Sequence, residues 1–217
     1  MSLTEIARRV GLSKATAHRM LSVLEQEGFL TRSAENAQFQ LGPEMIVLGA
    51  RALQSVDLRE VVRPELRLLA KNSGEDATLE SLVGREVLIL DEEKGRSLLG
   101  LTTEVGTRWP AHATATGKVL MAFAKEPMAE PEDRLVAATK NTITDWDLWL
   151  ETLARVRDRG WATNIEELVD GYVSVAAPVR NMEGRTVAAL SLGGSAHSVT
   201  SERIPDLATL VMDAAAR

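Results

Sequence analysis

The chain has 217 residues, 45% of them apolar and 26% charged, with no cysteine and three histidines, a balance that suits a folded protein with core enough for one or two domains. Without cysteine there is no disulfide, no thiolate nucleophile and no thiolate-held zinc or iron–sulfur centre. His18, His112 and His197 stand too far apart for a histidine metal motif, so neither a metal nor a cofactor is expected. No apolar run approaches the ~20 residues of a membrane span, and no secretory leader is visible, so the cytoplasm is the expected compartment and no membrane partner is expected.

The net charge of −6 taken alone argues against nucleic acid, but it is unevenly placed: residues 1–43 hold five Lys/Arg against four Glu, a net of +1, and the rest of the chain carries −7. DNA binding depends on local field rather than on the total. A weakly basic head on an acidic body is compatible with an operator, provided that a dimer doubles the contact.

In chain order, Leu3, Ile6, Ala7 and Val10 recur at helical spacing, and Ser2 with Glu5 has the spacing of a capping box. Gly11 ends that helix, since a residue without Cβ takes the left-handed C-cap conformation freely. Ser13 is placed to cap a second helix. Its Ala17, Met20, Leu21 and Leu24 are expected to face the core, leaving Lys14, Ala15, His18, Arg19 and Ser22 outward, where small and cationic side chains reach bases and phosphates. Two short helices joined at Gly11-Leu12-Ser13 make a helix-turn-helix; the alternative is an amphipathic hairpin with a solvated polar face. Thr31–Leu41 reads as a β-hairpin turning at Glu35-Asn36-Ala37, which completes a winged helix. Its Arg32 and Gln38 could lie beside a phosphate, or the hairpin could serve stability alone.

Pro43 opens a linker helix with Met45, Leu48, Gly49, Ala52 and Val56 as its seam. Asp57 to Glu60 has capping-box spacing and starts a further helix that ends at Asn72-Ser73-Gly74, with a kink or break expected at Pro64. The domain boundary is expected at that junction, giving residues 1–42, 43–56 and 57–217 as head, linker and second domain. From Asp76 the period becomes two: Ala77, Leu79, Ser81 and Val83 alternate, and Glu86–Leu90 and Leu98–Thr103 are further strand candidates. Thr116–Ala124 is a predicted helix, and residues 125–134 a charged, proline-interrupted connection. Thr144 opens a helix that Gly160 ends. Trp161–Ile165, Val173–Val179 and Val187–Leu192 are predicted strands, the last two joined by a turn at Asn181–Gly184, and Ser201–Ala216 is a closing helix with Pro205 in its first turn. This order predicts an α+β domain: an antiparallel sheet with helices mainly on one face.

Three places in the second domain look like more than scaffold. In Pro110–Lys118 small residues precede a helix start, leaving backbone N–H groups near Ala115, Thr116 and Gly117 for an anion, or simply for an ordinary cap. Asn164-Ile165-Glu166-Glu167 is a polar cluster at a strand end or a solvated turn. Ser174 and Ser191 stand in otherwise apolar strands, and a hydroxyl facing inward needs a partner. No catalytic constellation emerges: His112 beside Thr114 lacks an orienting carboxylate nearby, and a structural role suits it better. Gly193-Gly194 most simply ends a strand.

The whole chain resembles the IclR family of bacterial transcriptional regulators. The resemblance rests on LTEIARRVGLSKATAHRMLSVLEQEGFL, FQLGPEMIVLGARALQSVDLREVVRPELRLLA, PAHATATGKVLMAF and RGWATNIEELVDGYVSVAAPVRNMEGRTVAALSLGG, in the right order and spacing. It implies a winged helix-turn-helix, a linker helix and a GAF-like α+β effector domain. The expected protein is a regulator, more often a repressor than an activator, and not an enzyme. It would bind operator DNA as a dimer or dimer of dimers under control of a small effector, often an organic or aromatic acid.

Carried over residue by residue, the resemblance implies Ser13, Lys14, Ala15, Thr16, His18 and Arg19 as the DNA-reading face. It implies backbone at Ala115 and Thr116, with Asn164, Ser174, Ser191 and Gly193, around the effector. Departures matter here. Asn164 stands where Asp is common, Ser174 where Cys is frequent and Gly193 where Ser is frequent, and the hairpin lacks the usual glycine and basic residue. The family's first helix has no counterpart before Leu3, so Leu3, Ile6, Val10 and Leu21 are expected to be partly uncovered and residues ahead of Met1 are expected. Two other readings fit a bare α+β domain: a GAF-like binding protein or enzyme with a degenerate head, and an interaction module without a ligand.

Overall fold

The computed structural model describes residues 1–33, 38–54, 58–96, 104–125 and 135–217, in two compact units, Met1–Asp57 and Leu58–Arg217. The expected turn at 35–37, the end of the linker seam at Val56, the strand at 98–103 and most of the 125–134 connection lie outside the described residues.

In the first unit α1 is Leu3–Arg9, with the Ser2 hydroxyl accepting from the Glu5 amide at 3.3 Å as the capping spacing requires. Gly11, at φ +66°, makes the turn, and α2 runs Lys14–Gln26 from a Ser13 cap that accepts from the Thr16 amide at 3.2 Å. Two short strands, β1 (Leu30–Arg32) and β2 (Phe39–Leu41), pair antiparallel. The Met1 backbone exchanges two 2.9 Å hydrogen bonds with Phe39. α3 is Pro43–Gln54.

Packing inside this unit differs from the periodicity. Ala7, Ala17 and Leu21 are buried, but Val10, Met20 and Leu24 are 56%, 54% and 40% exposed. The seven-residue α1 is too short to cover the whole apolar stripe of α2, and no other described element of the unit lies over it.

The second unit is a six-stranded sheet of order β5-β4-β3-β8-β7-β6, every described neighbour pair antiparallel. Its strands are β3 Asp76–Val83, β4 Glu86–Glu93, β5 Arg108–Pro110, β6 Ala162–Ile165, β7 Tyr172–Arg180 and β8 Thr186–Ser195. Its helices are α4 Leu58–Ser73, α5 Ala115–Ala122, α6 Trp146–Arg159 and α7 Ile204–Ala216. A 3₁₀ turn, Ala111–Ala113, leads into α5. α4 is one element through Pro64, and α6 starts from an Asp145 cap rather than at Thr144.

Helices cover both faces of the sheet, not mainly one. Leu66 and Leu69 of α4 and Leu207 and Val211 of α7 pack on Leu79, Val175, Leu190 and Leu192. On the opposite face Val119 of α5 and Trp149, Leu153 and Val156 of α6 pack on Val87, Ala162, Ala176 and Ala189. The run of alanines lets the helices come close, so both sheet faces stay dry.

α4 is pinned to β4 by charge. Asp91, whose side chain is 1% exposed, accepts from Arg63 at 2.6 and 3.0 Å and from Arg59 at 3.4 Å. Burial pushes its carboxyl up, but the Arg63 and Arg59 guanidiniums outweigh that and hold it below the ordinary aspartate range. Such a group contributes stability above its unfolded value of about 3.9 and loses it as pH falls through the folded value. With both arginines half-exposed, Asp91→Asn should cost about 2 kcal/mol at pH 7, and urea melts should show the gap to wild type closing below about pH 4. A gap that does not narrow as the pH is lowered from about 4 toward about 2 would contradict the pairing.

Candidate effector cavity and DNA-reading face

In the first unit the outer face of α2 is organised by its buried side. Ala17 and Leu21, 2% and 7% exposed, fix the helix's rotation, and Lys14, Ala15, His18 and Arg19 then point outward. Ser13 and Thr16 are spent locally: their hydroxyls bond to each other at 2.8 Å beside the cap. Arg32 sits apart from this face in its bonding. Its Nε donates to both Glu25 carboxylate oxygens at 3.1 Å, and its guanidinium lies 4.8 Å from the Phe39 ring centre. A phosphate would have to compete with Glu25 for it.

In the second unit α5 begins with Thr114, whose hydroxyl accepts from the Gly117 amide at 3.0 Å. The expected free N–H at Gly117 is therefore capped. Thr116, one residue into the helix, is buried and turns its hydroxyl toward the sheet, 2.6 Å from Glu80 Oε2. The sheet side is set by register. Asn164 pairs with Ser174, Ser174 with Gly193, and Ser191 with Thr78, so residues far apart in sequence share the face opposite Leu190 and Leu192.

A β-bulge lies between Leu79 and Glu80: Leu79 pairs with Asp91 and Glu80 with Ile89, leaving Leu90 unmatched. The extra residue is on β4, so β3 keeps its alternation and Glu80 shares the cavity side with Thr78. These strands and α5 surround a small cavity of about 20 Å³, walled by Glu80, Thr116, Asn164, Ser174, Tyr172 and Ser191, with Trp109, Ile89 and Leu168 as its apolar part.

Its polar groups are ordered. Thr78 Oγ1 donates to Glu80 Oε1 at 2.7 Å, Thr116 Oγ1 to Oε2 at 2.6 Å, and Ser191 Oγ lies 2.7 Å from Thr78 Oγ1. Burial pushes the Glu80 carboxyl up from its ordinary range, and the Thr116 and Thr78 hydroxyls pull it part of the way back. Tyr172's phenol is pushed up by burial and by Glu80, Asp76 and Glu75, so it stays a hydrogen-bond donor. Asn164, 1% exposed, accepts from the Glu167 amide at 2.8 Å, which fixes its amide orientation and leaves Nδ2 buried without a partner.

Of the predicted residues, Thr116, Asn164, Ser174 and Ser191 meet in this cavity. Ala115 does not line it; its side chain packs in the α5–α6 core. Gly193 contributes by absence: a Cβ there would lie 1.9 Å from the Tyr172 hydroxyl and 3.2 Å from Ser174 Cβ. The tyrosine hydroxyl occupies the space that a side chain at 193 would fill, so the contact expected to be missing is replaced from the neighbouring strand. Glu80, Thr78, Tyr172 and Trp109 were not legible as site residues; the polar Glu80 and Thr78 in a buried strand were the available signal. His112 Nε2 bonds to the Val136 carbonyl at 2.9 Å, which suits a structural role.

A helix-turn-helix with a two-stranded wing, followed by a sheet unit that encloses a polar cavity, defines a class: transcription regulators that answer to a small ligand. Family models agree at both ends, the IclR helix-turn-helix domain over residues 1–34 and the bacterial transcriptional regulator IclR C-terminal domain over residues 50–217. The chain belongs to the IclR family, and its relatives are regulators of transcription. It is 36% identical to a glycerol operon regulatory protein of Streptomyces griseus over 100% of this chain and 86% of that one. It is 33% identical to the regulator XynR of Escherichia coli over 95% and 81%, and 30% identical to the Escherichia coli transcriptional repressor IclR over 99% and 80%. Among solved structures, the Alicyclobacillus acidocaldarius regulator superposes with a TM-score of 0.81 at 28% identity over 99% of this chain and 88% of that one. An IclR homologue from Microbacterium hydrocarbonoxydans, complexed with 4-hydroxybenzoate, superposes with a TM-score of 0.83 at 25% identity over 100% and 88%. Among the described residues no helix is long and apolar enough to cross a membrane.

Proposed function

We propose that the chain is a cytoplasmic, non-enzymatic transcription regulator, most simply a repressor, whose operator affinity is set by a small molecule in the β3–β8–β7–α5 cavity. The observation that carries this reading is a buried polar cavity, with Asn164 Nδ2 unpartnered inside it, on a chain that also holds a helix-turn-helix. The division into a head of residues 1–42, a linker of 43–56 and an effector domain of 57–217 follows the same logic. Lys14, Ala15, His18 and Arg19 read the operator, with Ser13 and Thr16 holding the helix start and Arg32 available to a phosphate. Thr116, Asn164, Ser174, Ser191 and the gap at Gly193 shape the effector site. The complex of the Microbacterium homologue with 4-hydroxybenzoate supports a small organic acid as the class of ligand, and the repressors among the relatives support the sign.

Exposed Met45, Ile46 and Leu48 on α3, 41%, 75% and 47% accessible, support a homo-oligomer, since apolar side chains grouped on one helix mark interaction surfaces. Control then follows from linkage: the effector shifts DNA affinity only through different affinities for two arrangements of the heads. Lys14→Ala and Arg19→Ala should each weaken binding to the DNA upstream of the protein's own gene about tenfold, and Lys14→Ala should also flatten the salt dependence. Unchanged gel shifts for both variants would remove the assignment of this face. A thermal-shift screen with organic acids, paired with those gel shifts, separates the alternatives. Turnover without DNA binding would indicate an enzyme, and neither effect an interaction module.

A further inference from the structure

Glu80 is the one carboxyl group among the described residues of the cavity wall, and the assigned site does not absorb it. It is 6% exposed, and among the described residues its carboxylate is met by two hydroxyls and no cation. Thr78 and Thr116 each have one hydroxyl proton, and both are spent on Glu80. Ser191 must therefore be the donor in its bond to Thr78, so the chain of hydroxyls runs toward the carboxylate from both sides. A carboxylate has about four acceptor sites, which leaves about two of them unfilled. Opposite, Asn164 Nδ2 is a buried donor with no acceptor, and the Tyr172 phenol stays protonated.

Granted the cavity as the effector site, we propose that Glu80 determines its specificity by accepting a hydrogen bond from a ligand hydroxyl, so that the effector is a hydroxylated small molecule, a polyol or a hydroxy acid. The ligand hydroxyl donates a hydrogen bond to Glu80, and a ligand oxygen accepts one from Asn164 Nδ2. This satisfies Asn164 Nδ2, the cavity group that the protein leaves without a partner, and adds a third hydrogen bond to a carboxylate already met by two hydroxyls. A ligand carboxylate placed against Glu80 would instead set two carboxyl groups side by side with no cation among the described residues between them, so that one of them would have to take up a proton. An acid effector must therefore turn its hydroxylated end, not its carboxylate, to Glu80. Trp109, Ile89 and Leu168 give the carbon skeleton an apolar wall, the mixture that hydroxylated carbon compounds need. The Thr78 and Thr116 hydroxyls hold the carboxylate in place, and a site built to receive a hydroxyl discriminates strongly against the analogue that lacks it.

The test titrates the full chain and its Glu80→Leu, Glu80→Gln, Asn164→Leu and Ser174→Val variants by calorimetry and thermal shift. The neutral arm uses xylitol against pentane-1,5-diol, and the acidic arm D-gluconate against hexanoate and 4-hydroxybenzoate against benzoate. Binding is expected for a hydroxylated probe and at least tenfold weaker for its dehydroxylated partner; the arm that responds names the class. Glu80→Leu should lose at least tenfold in affinity and Glu80→Gln less, because its amide oxygen still accepts. Melting of the ligand-free variants verifies their folding, and the near-isosteric glutamine keeps the test open if leucine does not fold. Equal binding of a hydroxylated probe and its partner overturns the proposal, as does a Glu80→Leu affinity equal to wild type or no response to any hydroxylated probe. If binding responds to Asn164→Leu and Ser174→Val but not to Glu80, the cavity stands and the role of Glu80 falls. If it responds to none of the three positions, the cavity assignment itself falls.

Discussion

Replacing Lys118 with Met should lower the stability of the Leu58–Arg217 unit by about 3–5 kcal/mol, a drop in melting temperature of roughly 10 °C for a unit of this size. Lys118 lies on α5, 3% exposed, and its Nζ donates to both oxygens of Glu167 at 2.5 and 2.6 Å and to the Thr163 carbonyl at 2.9 Å. Burial pulls the ammonium below its ordinary range, and Glu167 works against that. Methionine fills the same space, so the cost is not a cavity; it is the carboxylate of Glu167, 7% exposed, left without its cation. The test is therefore a cycle. Lys118→Met and Glu167→Leu should each destabilise strongly, while the pair together should recover much of the loss, since two apolar side chains can replace a buried ion pair at little net cost. If the double variant is as unstable as the sum of the two single variants, the pair is not the cause.

The consequence reaches the cavity. Glu167 also donates its amide to Asn164 Oδ1, and the turn that carries it contains Glu166 at φ +57°, a left-handed backbone that a side chain rarely adopts and that surrounding bonds must hold. Thr116 is two residues before Lys118 on the same helix. One ion pair thus ties two walls of the cavity, α5 and the turn after β6. Loosening it should weaken ligand binding more than a surface change of equal stability cost.

What the sequence disclosed follows the range of the interactions involved. Caps are local: Ser2 and Ser13 could be read because donor and acceptor are three residues apart. Helix and strand periods are local too, and α5, α6, β7 and β8 fall close to their expected places. The inward hydroxyls Ser174 and Ser191 stood out against apolar neighbours. Glu80 and Thr78 did not, for a physical reason. The alternation of Ala77 and Leu79 with polar residues reads as a strand with one wet face, whereas both faces of this sheet are covered and the polar face is the cavity wall. The partner that reveals Thr78 is Ser191, 113 residues away, and no local pattern encodes that register. Met20 and Leu24 mislead in the opposite sense, since a helical stripe specifies what could be buried and not what lies over it.

Gly193→Ser should abolish ligand binding, and Tyr172→Leu should restore it in the double variant. At 193 the backbone is crowded rather than left-handed: an added Cβ meets the Tyr172 hydroxyl at 1.9 Å, its Cζ at 2.7 Å and Ser174 Cβ at 3.2 Å. Contacts below 3.0 Å force a shift, and the ring, held between β7 and β8 where Ser174 faces Gly193, can move only into or out of the cavity. Either displacement changes a wall that Tyr172 shares with Glu80 and Asn164. An overpacked site of this kind costs about 1–3 kcal/mol in stability, so the variant should fold with a modestly lower melting temperature while affinity falls by a hundredfold or more, the cost of a misplaced polar wall. Leucine at 172 removes the clashing hydroxyl and ring, and serine at 193 returns a hydroxyl near the place that the phenol left. Because the two hydroxyls start from different strands, the double variant should recover affinity with an altered preference among hydroxylated ligands. Calorimetry on the two single variants and the double variant decides the matter. Wild-type affinity in Gly193→Ser would show that Tyr172 is not part of the site, and a double variant no better than Gly193→Ser would show that the crowding at 193 acts through something other than the tyrosine.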